Sequence, residues 1–259
     1  MITVKNLTKA FQLSKQQKKE LATKEGFLNA VDNISFTCHP GRICSLLGPN
    51  GAGKTTTLRM IATLLKATAG TIEVSGHDVV KEAQKVRQKI GFLTGTTGLY
   101  KRLTPNEVVK YFADLYQVAP AVFKERKESL FTLLNMNDFA NKRIGQLSSG
   151  MLQKVSIVRT IIHNPEVVIF DEPTTGLDVI SAEDIINLIR QCKKEGKTVI
   201  FSSHIMSEVD LLCDDLIIIH KGKICYNSTL EAFRKQIFPN NLTEEFIKII
   251  KAQNITSQT

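Results

Sequence analysis

Residues Gly48-Pro49-Asn50-Gly51-Ala52-Gly53-Lys54-Thr55-Thr56 fit the pattern G-x-x-x-x-G-K-[ST] without a mismatch. An apolar run from Ile43 to Leu47 leads into it and helix-compatible spacing follows from Thr55 to Ile61, so the local context is strand, loop, helix. The glycines let the backbone curl until successive N–H groups point inward, and the following helix adds the positive end of its dipole. This arrangement suits a chain of phosphates: Lys54 would reach the β- and γ-phosphates and the Thr55 hydroxyl would ligate Mg²⁺. The plain alternative is a glycine-rich turn, but in a chain of this length the fixed positions coincide by chance on the order of one per cent of the time. A nucleoside triphosphate is the expected ligand.

The rest of the pattern places this loop in an α/β fold. Met1 to Phe11 reads as an edge-type strand, residues 12 to 28 as a lysine-rich solvated loop or short surface helix, and Ala30 to Phe36 as a second strand. With Gly70 to Val74 after the loop helix, these short strands predict a small antiparallel sheet beside a main parallel one. From Leu103 the spacing turns helical. Thr104-Pro105-Asn106-Glu107 is a capping box with proline at the first helical position, a second helix follows over Ala121 to Leu134, and Asn135 to Asn141 reads as a turn. Beyond this helical insert, Val167 to Phe170, Thr198 to Phe201 and Leu216 to Ile219 are continuous apolar runs suited to strands buried on both faces. A helix from Asp178 to Cys192, ending at Gly196, separates the first two. Strands alternating with helices mean a parallel sheet. A short strand, a helix near Leu230 to Gln236 and an amphipathic stretch with Phe246, Ile247, Ile249 and Ile250 close the chain.

Composition narrows the class. The 259 residues are 42% hydrophobic and 23% charged, the balance of a globular protein with a sizeable core. No segment approaches the ~20 apolar residues that span a bilayer, and Met1 to Lys5 begins no signal peptide, so a cytosolic location is expected. The five cysteines lack C-x-x-C spacing and read as reduced packing residues. A net charge of +9 suits several anionic partners, but no aromatic-interleaved basic stretch points to nucleic acid, and none is expected as a partner.

Two carboxylates, Asp171 and Glu172, follow the apolar run Val167 to Phe170, at the carboxyl end of a central strand where open α/β sheets bind their ligands. Asp171 would hold Mg²⁺ with Thr55, and Glu172 would orient and deprotonate the attacking water. A solvated acidic turn before Pro173 is the bland reading, and the upstream loop outweighs it. His204 ends another buried strand and is placed at the γ-phosphate, whereas His39, His77, His163 and His220 read as structural. Leu147-Ser148-Ser149-Gly150-Met151 is a small-residue turn opening a helix, a second anion site offering Ser148 Oγ and backbone N–H groups. One triphosphate does not need two such sites in one subunit.

These motifs, in this order, resemble the ATP-binding subunits of ABC transporters, whose signature reads Leu-Ser-Gly-Gly-Gln before a helix; the resemblance covers residues 1 to about 235. It implies a P-loop nucleotide-hydrolase core with a mainly parallel sheet, a small antiparallel β-subdomain and a helical subdomain (about 96–160), followed by a tail at 236–259. It further implies ATP and Mg²⁺ as cofactors, with Phe11 stacking on adenine and Gly48, Pro49, Asn50, Gly51, Ala52, Gly53, Lys54, Thr55 and Thr56 cradling phosphate. Two cassettes, identical or related, would sandwich ATP head to tail, so that Ser148 and Gly150 of one face the phosphate loop of the other and Asp178 connects the sites. A separate integral-membrane permease would hold the cassette at the cytoplasmic face of the membrane and meet it near Gly95 to Leu103, including Leu99, Tyr100, Lys101 and Arg102. The sequence departs from the family at Ser149 and Met151 in the signature, and at Gly95, where the family carries a glutamine that helps bind Mg²⁺. The Gln-less loop, the Ser-Ser-Gly-Met turn and the short single cassette resemble the sodium-efflux, Nat-type branch of exporters, which implies Na⁺ as cargo. Drugs, lipid or polysaccharide are the alternative cargoes, and a regulatory subunit that scarcely hydrolyses is the alternative role. Length disfavours the DNA-repair relatives, which need a long coiled coil, and the two-cassette translation factors.

Overall fold

The computed structural model describes residues 1–20, 25–94, 98–236 and 241–256. Strand β1 (Ile2–Gln12), the short helix α1 (Lys15–Glu20) and strand β2 (Phe27–Cys38) precede β3 (Ile43–Leu47), which runs into the phosphate loop and helix α2 (Lys54–Ile61). Then come β4 (Ala69–Val74), β5 (His77–Asp78), α3 (Ala83–Lys89) and β6 (Ile90–Leu93). The first sheet has the order β2-β1-β4-β5 with antiparallel pairs throughout, the flanking antiparallel sheet that the short strands predict. The edge-strand expectation for β1 is corrected: β1 pairs with β2 on one side and β4 on the other. Its inward residues Ile2, Val4 and Leu7 are buried, and with both neighbours paired no ladder edge is left open.

The helical insert follows. Helix α4 (Pro105–Leu115) starts where the capping box dictates: the Thr104 side chain accepts from Glu107 N–H while the Glu107 carboxylate accepts from Thr104 N–H. These bonds satisfy two of the donors that a helix start leaves unpaired. Helix α5 (Pro120–Leu133), two single-turn 3-10 helices and α6 (Ser149–Ile161) complete the insert. The core then resumes with β7 (Val167–Asp171), α7 (Val179–Lys194), β8 (Thr198–Ser203), α8 (Met206–Leu212), β9 (Asp215–His220), β10 (Lys223–Thr229) and α9 (Leu230–Lys235), and ends with α10 (Leu242–Thr256).

The second sheet has the order β10-β9-β3-β8-β7-β6, parallel except for the β10 edge. Its strands read as unbroken apolar runs because both faces are covered. Val168, Phe170, Val199 and Phe201 point into one core with α6, α7 and α8, while Val167, Ile169 and Ile200 point into the other with α2 and the flanking sheet. Phe170 and Phe201 are completely or almost completely buried, and truncating either to alanine costs about 3–5 kcal/mol at such sites. Leu242, Phe246, Ile249 and Ile250 of α10 lie on the first of these cores.

His163, just past α6, shows how the insert is seated on the sheet. Its ring stacks on Tyr116 with centroids 3.8 Å apart and planes 8° from parallel, and its Nε2 lies 3.1 Å from the carbonyl of Ile90 in β6. Burial pushes its pKa down to about 4. A histidine whose folded pKa lies below its unfolded value near 6.5 binds fewer protons folded than unfolded between those limits, so stability rises with pH there and is lost as pH falls. The protein is therefore expected to lose on the order of 2 kcal/mol between about pH 6.5 and 4 through this residue. The His163→Phe protein, which keeps the stack, should show a correspondingly flatter slope in denaturant titrations across that window. Identical slopes would clear His163 of this role.

Candidate functional site

The phosphate loop is fixed by backbone that approaches too closely for any side chain. A Cβ at Gly48 would stand 2.2 Å from the Ile219 carbonyl, and one at Gly53, whose φ is +107°, would stand 2.4 Å from the Ala30 carbonyl. The loop is thus threaded between the end of β9 and β2, and only glycine meets both demands. The Gly222 N–H donates to the Ala52 carbonyl at 2.9 Å and closes this contact, while Asn50 and Gly51 remain exposed at the tip. Lys54 is 4% exposed, and its ammonium donates to the carbonyls of Gly48 at 2.6 Å and Pro49 at 3.2 Å. Burial pushes the Lys54 pKa below the ordinary lysine value, and Glu172, 3.6 Å away, pulls it back. Two neutral carbonyls and one carboxylate are a modest set of partners for a desolvated cation. A phosphate chain is a better one, because charge-assisted bonds are roughly twice as strong as neutral ones.

Asp171 and Glu172 stand at the carboxyl end of β7, one strand removed from β3 across β8. The Asp171 Oδ1 accepts from Thr55 Oγ1 at 3.0 Å and from Ser202 Oγ at 2.7 Å. Glu172 takes the left-handed conformation at φ +49°, uncommon for a residue other than glycine. Its Oε1 lies 3.3 Å from His204 Nδ1 and its Oε2 accepts from Thr175 Oγ1 at 3.3 Å, while its own N–H donates to Ser202 Oγ at 3.0 Å. The fold therefore brings Lys54, Thr55, Asp171, Glu172 and His204 to one place. Ser202, which the sequence reading passed over, links both carboxylate residues and is fully buried. No local signal marks it, because Thr198 and Ser203 are buried polar residues of the same strand. Thr55 and Asp171 offer hard oxygen donors at one point, and among the described residues no group of three or more His, Cys, Asp or Glu forms a metal cage. A cation here would need phosphate and water for its other ligands, the usual habit of Mg²⁺.

The second turn is built separately. Ser148 caps α6, its Oγ accepting from Met151 N–H at 3.3 Å, and Gly150 packs on α7, where a Cβ would stand 2.6 Å from Ser181 Oγ. Asp178 caps α7 and holds Ser181 by both backbone and hydroxyl at 2.9 and 2.8 Å. Gln153 donates to the Pro173 carbonyl at 2.9 Å, and the Lys154 ammonium meets Asp184 at 2.5 Å. The contacts of Ser148 and Gly150 are thus with α6 and α7, and those of Lys54 and Thr55 are with their own loop and the carboxylates of β7 and the segment after it. Phe11, next to last in β1, is 40% exposed, with the Lys9 ammonium 5.1 Å from its ring centroid. Gly95 lies outside the described residues. Nearby, Leu99 packs against the core while Tyr100 is 70% exposed, so the pair is split between packing and surface.

A parallel sheet with an antiparallel flank, a phosphate loop at its strand ends and a second glycine-containing helix start on an inserted subdomain define an ATP-binding cassette. The family model described as ABC transporter matches residues 31–175. The chain is 46% identical over 233 residues to the ABC transporter ATP-binding protein NatA of Bacillus subtilis (strain 168), covering 90% of this chain and 91% of that one. It is 36% identical over 208 residues to the linearmycin resistance ATP-binding protein LnrL of the same organism, covering 80% and 67%. Among solved structures, an ATP binding subunit of an ABC transporter superposes with a TM-score of 0.83 at 26% identity, covering 96% of this chain and 99% of that one. The dimeric post-hydrolysis cassette MJ0796, bound to ADP and Pi, gives 0.77 at 27% identity, covering 89% and 99%. The chain belongs to the ABC transporter family, as an ATP-binding, ATP-hydrolysing subunit.

Replacing Lys54 with alanine removes the one buried cation of the phosphate loop. A hydrogen bond to a charged group is worth about 1.5–3 kcal/mol, so ATP affinity measured by calorimetry should fall by roughly 10- to 150-fold. An unchanged affinity would take Lys54 out of the phosphate site.

Proposed function

We propose that two copies of this chain, or this chain and a related cassette, close head to tail on ATP and drive export through a separate integral-membrane permease, and that the cargo is Na⁺. The observation that carries the paired arrangement is the second anion-facing turn, Ser148 to Gly150, braced by α7 and without a phosphate loop of its own. Dimeric cassettes among the structural neighbours support it. Among the described residues no helix is long and apolar enough to cross a membrane. The permease would hold the cassette at the cytoplasmic face. A cleft of about 720 Å³ lined by Leu99, Lys101, Leu147, Gln153 and Thr175 among others supports the permease contact in this region, and Tyr100, between two of these residues in the chain, is exposed. Residues 1–235 form the working cassette with its insert at about 96–160, and residues 236–259 are an appended tail.

Within each site, the loop Gly48 to Thr56 surrounds the phosphates and binds them through the Lys54 ammonium and the N–H groups of Gly51, Gly53, Lys54, Thr55 and Thr56, those of Gly48 and Ala52 being donated to the Ser203 and Pro49 carbonyls, and Phe11 offers its exposed face to adenine. Thr55 and Asp171 would hold Mg²⁺, which when bound supplies charge neutralisation on the phosphate oxygens. Glu172 accepts the proton of the attacking water, and His204, within reach of the same carboxylate, orients the terminal phosphate. Ser148 and Gly150 present hydroxyl and N–H donors to the phosphate bound by the other subunit, and Asp178 fixes the helix that backs them.

The Glu172→Gln protein should keep ATP affinity within about twofold and lose on the order of 10²–10⁴ in turnover, as removal of a general base does. With ATP and Mg²⁺ it should sediment as a dimer and without them as a monomer. Hydrolysis at the unmutated rate would sink the base assignment, and a monomer under all conditions would sink the shared sites.

The Na⁺ cargo rests on the Nat-type resemblance of the signature and the Gln-less loop. Vesicles carrying this chain and its permease should show ATP-dependent ²²Na⁺ movement. A complex that hydrolyses ATP yet moves only antibiotics would favour the second reading, which the linearmycin resistance and bacitracin transport proteins among the relatives recommend.

A further inference from the structure

We propose that Glu208 is a positioning residue for ATP hydrolysis, its carboxylate tying the segment that carries Glu172 to the segment that carries His204. The parallel ladder between β7 and β8 runs from Val167↔Thr198 to Asp171↔Ser202 and stops there. Glu172 and His204 therefore stand just beyond the last backbone register, where the two chains part. The Ser202 hydroxyl, which accepts from the Glu172 N–H, belongs to that last pair. Beyond it the connection is made by Glu208, in the first turn of α8. Its Oε1 accepts from Thr174 Oγ1 at 2.5 Å, and its Oε2 accepts from Ser203 Oγ at 2.8 Å.

Thr174 lies two residues after Glu172 and Ser203 immediately before His204, and both are nearly sealed from solvent, at 7% and 2% exposed. The Ser203 hydroxyl also accepts from the Ile205 N–H at 3.0 Å, so it grips the backbone on the far side of His204. An ionised carboxylate has no proton to give and takes one hydroxyl on each oxygen, in short charge-assisted bonds. Both Glu208 oxygens are thus engaged, and the residue serves as a strut rather than as a ligand for phosphate or cation. What it fixes is the 3.3 Å relation of Glu172 Oε1 to His204 Nδ1. A misplacement of about 1 Å in such a constellation can cost 10²-fold in rate.

This inference rests on the proposed roles of Glu172 and His204, and it separates turnover from binding because the Glu208 carboxylate holds the Thr174 and Ser203 side chains, whereas the phosphate loop meets Ser203 at its backbone carbonyl, through the Gly48 N–H at 3.3 Å, a bond that the β3–β8 ladder supports without Glu208. The test uses the full-length chain, in complex with its permease, with kcat, KM for ATP, ATP affinity and thermal midpoint measured together. Glu208→Ala should lower kcat at least about tenfold while ATP affinity stays within about twofold. Thr174→Val, which removes the hydroxyl and keeps the shape, should lower kcat as well, and Thr174→Ser should restore it. In the Glu208→Ala background Thr174→Val should cost nothing more, because the bond it removes is already gone. A folded Glu208→Ala protein with unaltered kcat, or one whose ATP affinity falls as far as its turnover, would overturn the proposal. Where Glu208→Ala does not fold, equal kcat for Thr174→Val and Thr174→Ser would overturn it. Glu172→Gln measured alongside distinguishes the two levels: if it turns over normally the underlying reading falls and this inference with it, whereas a dead Glu172→Gln beside a normal Glu208→Ala sinks the strut alone.

Discussion

A buried ammonium group is the constraint on which the other features of this molecule depend. Lys54 is 4% exposed and has the carbonyls of Gly48 and Pro49 and the carboxylate of Glu172 as partners. Taking an ion out of water costs several kcal/mol even after relaxation, and the cost is met only where oxygens converge on it. That convergence requires Gly48 to press on the Ile219 carbonyl and Gly53 on the Ala30 carbonyl, which in turn requires β9 and β2 to pass on either side of the loop. The charge is held in place by the tertiary structure, and its carbonyl partners are weaker than phosphate. The folded protein therefore carries an electrostatic demand that ATP answers.

The sheet delivers the rest of the chemistry to the same point. Because β3, β8 and β7 are adjacent and parallel, their carboxyl ends lie side by side, and the loop, His204 and the paired acids leave from neighbouring strands. Alternate residues of each strand enter opposite cores, so the register that buries Phe170 and Val168 on one face also fixes where Asp171 emerges. Hydroxyl groups finish the alignment: Ser202 and Thr55 converge on one Asp171 oxygen, and Ser202 also receives the Glu172 N–H. Each is partly or wholly buried, and a buried hydroxyl needs a partner, so the stability of this end of the sheet and the geometry of the acids are the same set of bonds.

The signature turn is organised by a different set of contacts. Gly150 meets Ser181, Ser181 is held by Asp178, and Gln153 reaches the Pro173 carbonyl, so the turn is tied to α7 and to the loop that follows Glu172. The acids on β7 and the turn at Ser148 to Gly150 are therefore joined by a short physical path.

What the sequence determined by itself is what local chemistry determines. The strand-loop-helix around Lys54, the capping box at Thr104, the helix starts near Ser148 and Asp178, and the two-faced strands ending at Asp171 and Ser203 are legible because φ/ψ preference, hydrogen-bonding of first-turn N–H groups and apolar runs act over a few residues. The short strand β6 was not legible as a strand: four residues interrupted by Gly91, whose small size serves the approach of the Thr160 carbonyl, carry too little pattern. Whether β1 was an edge or an interior strand depended on its pairing with β4, more than sixty residues away, and alternation of apolar residues is the same in either case. Ser202 and Glu208 were invisible for a related reason. A serine in a strand and a glutamate in a helix's first turn have ordinary local readings, and only the crossover that lays β8 against β7 sets one beside Asp171 and the other beside Thr174. The sequence determined which chemical groups sit at the strand ends; the tertiary structure decided which of them touch, because contact between residues thirty apart is set by the order of strands in the sheet.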